Sequence, residues 1–414
     1  MIRSAIVTAC LLALAPLVIA QNDTKPEPPP PPNGPMLDVR DFGARGDGKA
    51  DDTEAIQKAL DAASQRNWKS NEGTRGAVFI PSGRYRITES LVIERTSGLT
   101  IAGAGRSNKF GYARSGKDVG TTLVWDGEDK GVLMKIRGSG YITLRDMTLW
   151  GEGPSLEGKG KAGALVRGQS LRGHAMAMCN FVNLNFCRSR VGLEMGGGDG
   201  PDMCNSDNFY YTCDFTHCDE GFVTRGVQSV NHFFFQAGGV GTGTVFSVYS
   251  GGNIMVKGGS LTNCRRMAHI RTGGVNIGHH SFESIRMERA GKGDWRYQLL
   301  KAGGGGTPLV ITMKSIGCQA NRNPEGALFD LSPGVMVTVT DSIVTHNIAD
   351  IEGEPKKQSL LTFRNCTFYH DNPEGHIRLK GDGAMAKIED CFGKSREKGY
   401  YLMPDQRLGK GFPK

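Results

Sequence analysis

The sequence predicts an all-β chain wound as a right-handed, single-stranded parallel β-helix of about ten or more coils, with one α-helix capping its N-terminal end. Three observations carry that expectation. A strand-like pattern recurs roughly every 25 residues from Tyr141 onward. Glycine is abundant, with 59 in 414 residues, as many tight turns require. One amphipathic helical segment precedes the repeats.

The repeat consists of a turn, alternating apolar residues, a small or polar break and two more alternating apolar residues. It begins as Ile142-Thr-Leu144-Arg-Asp-Met147-Thr-Leu149 and returns, for example, as Cys179-Asn-Phe181-Val-Asn-Leu184-Asn-Phe186 and Leu361-Thr-Phe363-Arg-Asn-Cys366-Thr-Phe368. With Met147 as marker, its equivalents fall near Leu184, Cys213, Phe235, Gly259, Ile285, Ile316, Ser342, Cys366 and Cys391. Alternation turns one set of side chains inward, Ile285 and Phe363 among them, and stacked coils bury that set in a continuous core. The leucine-asparagine ladder of leucine-rich repeats is missing, and Asn-Gly hairpin signals are sparse, which disfavours a sandwich or propeller.

Ahead of the repeats, Asp51 as N-cap and Glu54 three residues on make a capping-box start. Ala55, Ile56, Ala59, Leu60 and Ala63 then form one apolar helical face. Such a helix suits the open end of a solenoid, whose unpaired strand edges would otherwise invite aggregation. Further upstream, a basic start, a short apolar run and the break at Ala20 read as a secretory leader over residues 1–20. The run is short for a membrane span, no other stretch reaches about 18 apolar residues, and Cys10 sits too early in it for a lipidation site. Residues 21–35, with five successive prolines, read as an extended spacer, leaving 36–414 as a single β-helix domain.

The formal charge is +8, or +7 once Arg3 leaves with the leader, a mild excess compatible with an acidic polysaccharide partner. No concentrated basic stripe points to nucleic acid. Nine cysteines remain beyond Cys10. Export permits bridges such as Cys179 to Cys187 or Cys213 to Cys218, but the preferred reading is small buried apolar residues.

The segment from Asp38 to Gly105 carries a resemblance. Asp38-Val-Arg-Asp-Phe-Gly43-Ala-Arg-Gly-Asp47-Gly, Asp51-Asp52-Thr-Glu-Ala-Ile-Gln57, Gly76-Ala-Val-Phe-Ile-Pro-Ser-Gly83-Arg-Tyr85 and Leu99-Thr-Ile-Ala-Gly-Ala-Gly105 together are similar to the opening of the pectate-lyase-like superfamily. That group includes polygalacturonase-like and rhamnogalacturonase-like proteins, alginate epimerases and phage tailspikes. The resemblance implies the β-helix and, because one fold hosts many sites, leaves the chemistry to the residues. It also implies a substrate groove along one stacked sheet.

That sheet is expected where a second strand in each coil ends in glycine. Aligning those glycines stacks Glu194, Thr224, Tyr249, Arg271 and Lys301, with Arg225 adjacent and Ser247 and His269 two residues earlier on the same face. β-Elimination from a uronate needs a cation on the carboxylate, a base for the neighbouring proton and an acid for the leaving oxygen. Arg271 suits the first role, His269 or Lys301 the second and Tyr249 the third. Glu194, Arg225, Asp219 and Glu220 are candidates for substrate binding.

Hydrolysis would instead need two carboxyl groups across the bond. Asn205-Ser-Asp207, Asp219-Glu220-Gly221, Gly278-His279-His280 and Arg378-Leu-Lys380 are weakly similar to polygalacturonase motifs, but Asp207 and Asp219 stand half a coil apart. The alginate epimerase Asp-Pro-His-Asp motif is absent. A non-catalytic binding or surface-structural solenoid is the third reading. Asp199 and Asp202 are the candidate ligands for calcium, with no cofactor otherwise implied. Trp125, Trp150 and Trp295 would serve as sugar-stacking platforms if exposed.

Overall fold

The computed structural model describes residues 36–64, 76–107, 120–152, 161–198, 204–226, 228–271, 279–288, 298–303, 309–319, 327–345, 348–369, 376–395 and 399–410. The expected leader and spacer, Asp199, Asp202, Gly278 and Trp295 lie outside them. Among the described residues the strands fall into a 24-stranded and an 11-stranded sheet, in which all strands but the last two pair in parallel with strands of neighbouring coils. The winding is the right-handed parallel β-helix that the repeat implies.

The coils turn within the long sheet at a recurring position in the left-handed conformation, a conformation uncommon for side-chain-bearing residues. Asp146, Asn183, Thr212, Gln236, Ser284, Ser315, Asp341, Asn365 and Asp390 hold this position at φ between 51 and 59°. Short polar side chains tolerate it best because they bond locally, and here they also bond between coils. Asn183 Nδ2 donates to Asp146 Oδ1 at 2.8 Å, and Asn365 Nδ2 to Asp341 Oδ1 at 2.7 Å. These residues are the polar breaks of the sequence repeat, and the marker residue of each of these coils follows one; ahead of Gly259 the position is held by Gly258 at φ 78°.

One marker moves. Ala237, not Phe235, pairs with Gly259, and it follows the left-handed Gln236. The run Phe233-Phe234-Phe235 conceals the alternation, since Phe234 is fully buried while its neighbours face outward.

Stacking turns the inward positions into ladders. Phe181, Tyr210, Phe234, Val256 and Phe282 are successive partners. Tyr210 stacks on Phe234 with centroids 4.1 Å apart. Phe222 and Phe246 of the shorter sheet meet Phe234 edge-on at 4.9 and 5.1 Å, closing the core between the sheets. Full burial of each such ring contributes roughly 1.5–3 kcal/mol. Ile285 and Phe363 are buried, as their alternation requires. Trp125 and Trp150 are also buried, so neither is a sugar platform. The nine cysteines of the described chain are free thiols, and all but Cys204 are buried.

Helix α1 spans Thr53–Ser64 and buries Ile56, Ala59, Leu60 and Ala63 against the first coils. The N-cap position is Asp52, one residue later than expected, since its carbonyl accepts the Ile56 amide at 3.0 Å; the Asp51 side chain accepts the Thr53 amide at 3.1 Å. Glu54 pairs instead with Lys58 at 2.7 Å, so the reciprocal half of the expected box is not formed. At the other end the parallel pattern stops: Phe392–Ser395 pairs antiparallel with Gly399–Leu402. Among the described residues no helix is long and apolar enough to cross a membrane.

Candidate active site on the shorter sheet

The outward column of the 11-stranded sheet follows from its register. Glu194 stands beside Val223, then come Ser247, His269, Lys301, Asp330, Asp350 and Arg378, one per coil. The glycine alignment therefore needs correcting. Glu194 and Lys301 are in one column, but Lys301 neighbours His269, not Arg271, and Tyr249 and Arg271 sit two residues further along, just past their strands. Thr224 is buried in the inward row with Met195 and Val248. The glycines mark corners whose loops differ in length, so they do not share one register. An offset of two keeps a residue on its face, whereas an offset of one turns it inside.

Most of the expected residues nevertheless converge. His269, Arg271 and Lys301 line one end of a cleft of about 280 Å³. Tyr249 is not in the cleft wall but lies edge-on to the His269 ring with centroids 5.9 Å apart. The Tyr249 hydroxyl donates to Glu220 Oε1 at 2.6 Å, and Ser247 Oγ donates to the same oxygen. Glu194 accepts from Arg167 Nε at 2.6 Å and Arg225 Nε at 2.9 Å. Arg225 in turn lies 4.5 Å over the Tyr249 ring. Glu194 thus acts through Arg225 on the orientation of Tyr249, and Glu220 fixes the phenol's hydroxyl. Asp219 stands apart: its carboxylate pairs with Lys161 at 2.8 Å and is not in the cleft wall.

Environment separates the proton donors from the acceptors. Burial, reinforced by Arg266, Arg271 and Lys301, pushes His269 down to about 4, so the ring is neutral at ordinary pH. Burial and the Glu220 carboxylate raise the Tyr249 phenol, which keeps its proton. Lys301 is held in an ion pair with Asp330 at 3.0 Å. Arg271 is exposed and has no carboxylate partner among the described residues.

Two contributors are absent from the sequence-derived set. Arg266 bonds Gln298 Oε1 at 2.6 Å and faces His269, Tyr249, Glu220 and Asp330. It opens its strand, where no turn signal marks it. Asp330 extends the outward column and was accessible to the same reasoning, because Leu328-Phe329-Asp330-Leu331 also ends in a corner glycine, Gly334. The candidate hydrolytic carboxylates do not face each other, since Asp207 turns the long sheet beside Asn231 while Asp219 precedes the shorter-sheet strand Glu220–Arg225 and pairs with Lys161. His280 of the Gly278-His279-His280 motif is inside the coil. Among the described residues no group of three His, Cys, Asp or Glu side chains is placed to hold a metal ion.

Comparison with known proteins adds the lineage. Part of the chain is similar to alginate lyase 7 of Azotobacter vinelandii, with 33% identity over 135 residues, 29% of this chain and 13% of that protein. The mannuronan C5-epimerase AlgE4 of the same organism shares 34% over 129 residues, 29% of this chain and 20% of its own. The chain thus spans a fifth or less of these relatives. Among solved structures, DFA-IIIase from Arthrobacter chlorophenolicus A6 has a TM-score of 0.58 at 11% identity, over 86% of this chain and 94% of that one, a likeness of fold. The model of the family described as rhamnogalacturonase A/epimerase, pectate lyase-like, matches residues 36–267 and so ends two residues before His269. Since that match takes in the capping helix, the first coils and more than half of the chain, the protein belongs to the rhamnogalacturonase A/epimerase, pectate lyase-like family.

Proposed function

We propose that this protein is an exported polysaccharide lyase that cleaves an acidic, uronate-containing polysaccharide by β-elimination. Residues 1–20 act as its leader, 21–35 as its spacer and 36–414 as the catalytic β-helix domain. The observation that carries the reading is the convergence, from three consecutive coils, of a neutral imidazole and unneutralised positive charge in one cleft, with a proton-holding phenol packed edge-on against that imidazole. The partial similarity to an alginate lyase and mannuronan epimerases supports an acidic sugar as substrate.

In this mechanism Arg271 takes the uronate carboxylate in a two-pronged hydrogen bond and withdraws charge from it, which acidifies the hydrogen on the adjacent ring carbon. His269 removes that hydrogen as a proton. The electron pair forms the ring double bond as the glycosidic carbon–oxygen bond breaks, and Tyr249 delivers its proton to the departing oxygen. Lys301 adds positive charge beside the developing enolate. Opposite perturbations of two neighbouring groups are the arrangement that lets acid and base operate together at one pH.

Incubation with a panel of polyuronates tests the reading by following ultraviolet absorbance of new double bonds alongside new reducing ends. Both signals rising together are expected. Reducing ends without unsaturation would select hydrolysis instead, and neither signal would leave a binding or structural protein.

A further inference from the structure

The cleft does not end at the proposed catalytic residues. From Arg271 it runs along the corner that follows the shorter sheet, past Gly303 and Ser332, to the turn at Glu354 and Lys357. These positions follow the strands Arg266–Ile270, Gln298–Ala302, Phe329–Leu331 and Ala349–Glu352 on four successive coils. Three steps of about 4.8 Å separate the ends by about 14 Å. One coil step is close to the advance per unit of an extended sugar chain, so the cleft takes a short stretch of such a chain in line with the helix axis.

Its unpaired charge sits at its ends, since Lys301 on the second coil is held by Asp330. The middle is lined by Ala302, Gly303, Ser332 and Pro333, which carry none. Gly303 has φ +149°, and a Cβ there would stand 2.2 Å from the Ser332 side chain, so this stretch of wall is kept free of side-chain bulk. At the far end Lys357 has no carboxylate partner among the described residues. Its turn is fixed rather than loose. Glu354 and Lys357 exchange backbone hydrogen bonds of 3.2 and 3.0 Å, and the Gly353 amide donates to the Lys380 carbonyl of the next coil at 3.0 Å. Glu354, on the same turn, is a hydrogen-bond acceptor for a sugar hydroxyl and repels a carboxylate placed out of step.

We propose that Lys357 is a distal carboxylate-binding residue, and that the cleft recognises an oligouronate of at least four units with one carboxylate on Arg271 and another on Lys357. This rests on the assignment of the cleft as the uronate site, and it adds a length requirement that the elimination chemistry does not impose.

Calorimetric titration of the full-length protein with size-defined oligomannuronates and oligogalacturonates of two to six units tests it. For at least one series, wild-type affinity is expected to rise about tenfold between three and four units. Lys357→Ala should remove that step while leaving affinities for two- and three-unit probes and the melting temperature unchanged, and Lys357→Arg should retain most of it. A smooth length dependence in the wild-type protein, equal losses for short and long probes in Lys357→Ala, or no binding of either series would each overturn the proposal. Following unsaturation with the same oligomers separates the two ideas. A length step without new double bonds upholds the distal site and sinks the lyase reading, whereas turnover without a length step does the reverse.

Discussion

His269 and Tyr249 owe their proposed roles to surroundings rather than to residue type. Burial with three cations holds the imidazole near 4, and burial with Glu220 holds the phenol above its ordinary value. The base must be unprotonated and the acid protonated, so kcat/KM is expected to rise through about pH 4 and to fall only above the ordinary tyrosine range. A plateau beginning near pH 6.5 instead would show that His269 is not the group titrating. Arg271→Ala should lower kcat/KM by at least about 100-fold with an unchanged melting temperature, because the side chain is exposed and unpaired. Arg271→Lys should recover little, since an ammonium lacks the planar fork. These residues were legible in the sequence because strand alternation and a nearby glycine marked them. Arg266 was not, because its role comes from neighbours on other coils.

At the scale of the strand and turn, the left-handed polar residue is the unit that makes one coil follow another. Asn365→Val would place a β-branched side chain at φ 53° and delete the bond to Asp341, so a loss of about 1–3 kcal/mol is expected, and Asn365→Gly should lose less. Thermal melts of both variants distinguish this from a side-chain contact effect, which would make the glycine variant the worse of the two. Phe363→Asp should be severely destabilising through an unpaired charge inside the coil, and a melting temperature close to wild type would contradict the inward ladder. The period and inward faces were readable along most of the chain because polar breaks recur against an apolar background. The reading slipped at Phe235 because three successive phenylalanines erase that contrast. It slipped again on the shorter sheet because a glycine reports a corner, while register depends on how many residues each corner uses.

The whole molecule stacks short strands so that groups far apart in sequence become neighbours one coil apart, and stability and activity both depend on that stack. Two histidines are enclosed within it. His232, between Tyr210 and Ser229, and His280 are each pushed to about 3 by burial. Below the ordinary histidine value near 6.5 the unfolded chain takes up protons that the folded chain refuses, so stability is full above that pH. It should fall progressively as pH drops from about 6.5 toward 3, by up to about 5 kcal/mol for each histidine. A melting temperature that stays level across this window would contradict their enclosure, and His232→Gln should reduce the slope. The same stacking brings His269 with Arg271, and Lys301, to one cleft and sets Tyr249 of the preceding coil against the His269 ring. The most direct measurement of that claim is the initial rate of double-bond formation on a polyuronate that the wild-type protein degrades, compared with His269→Ala and Arg271→Ala proteins of equal thermal stability. The account predicts that both substitutions nearly abolish the signal, and wild-type rates from both would place the chemistry elsewhere.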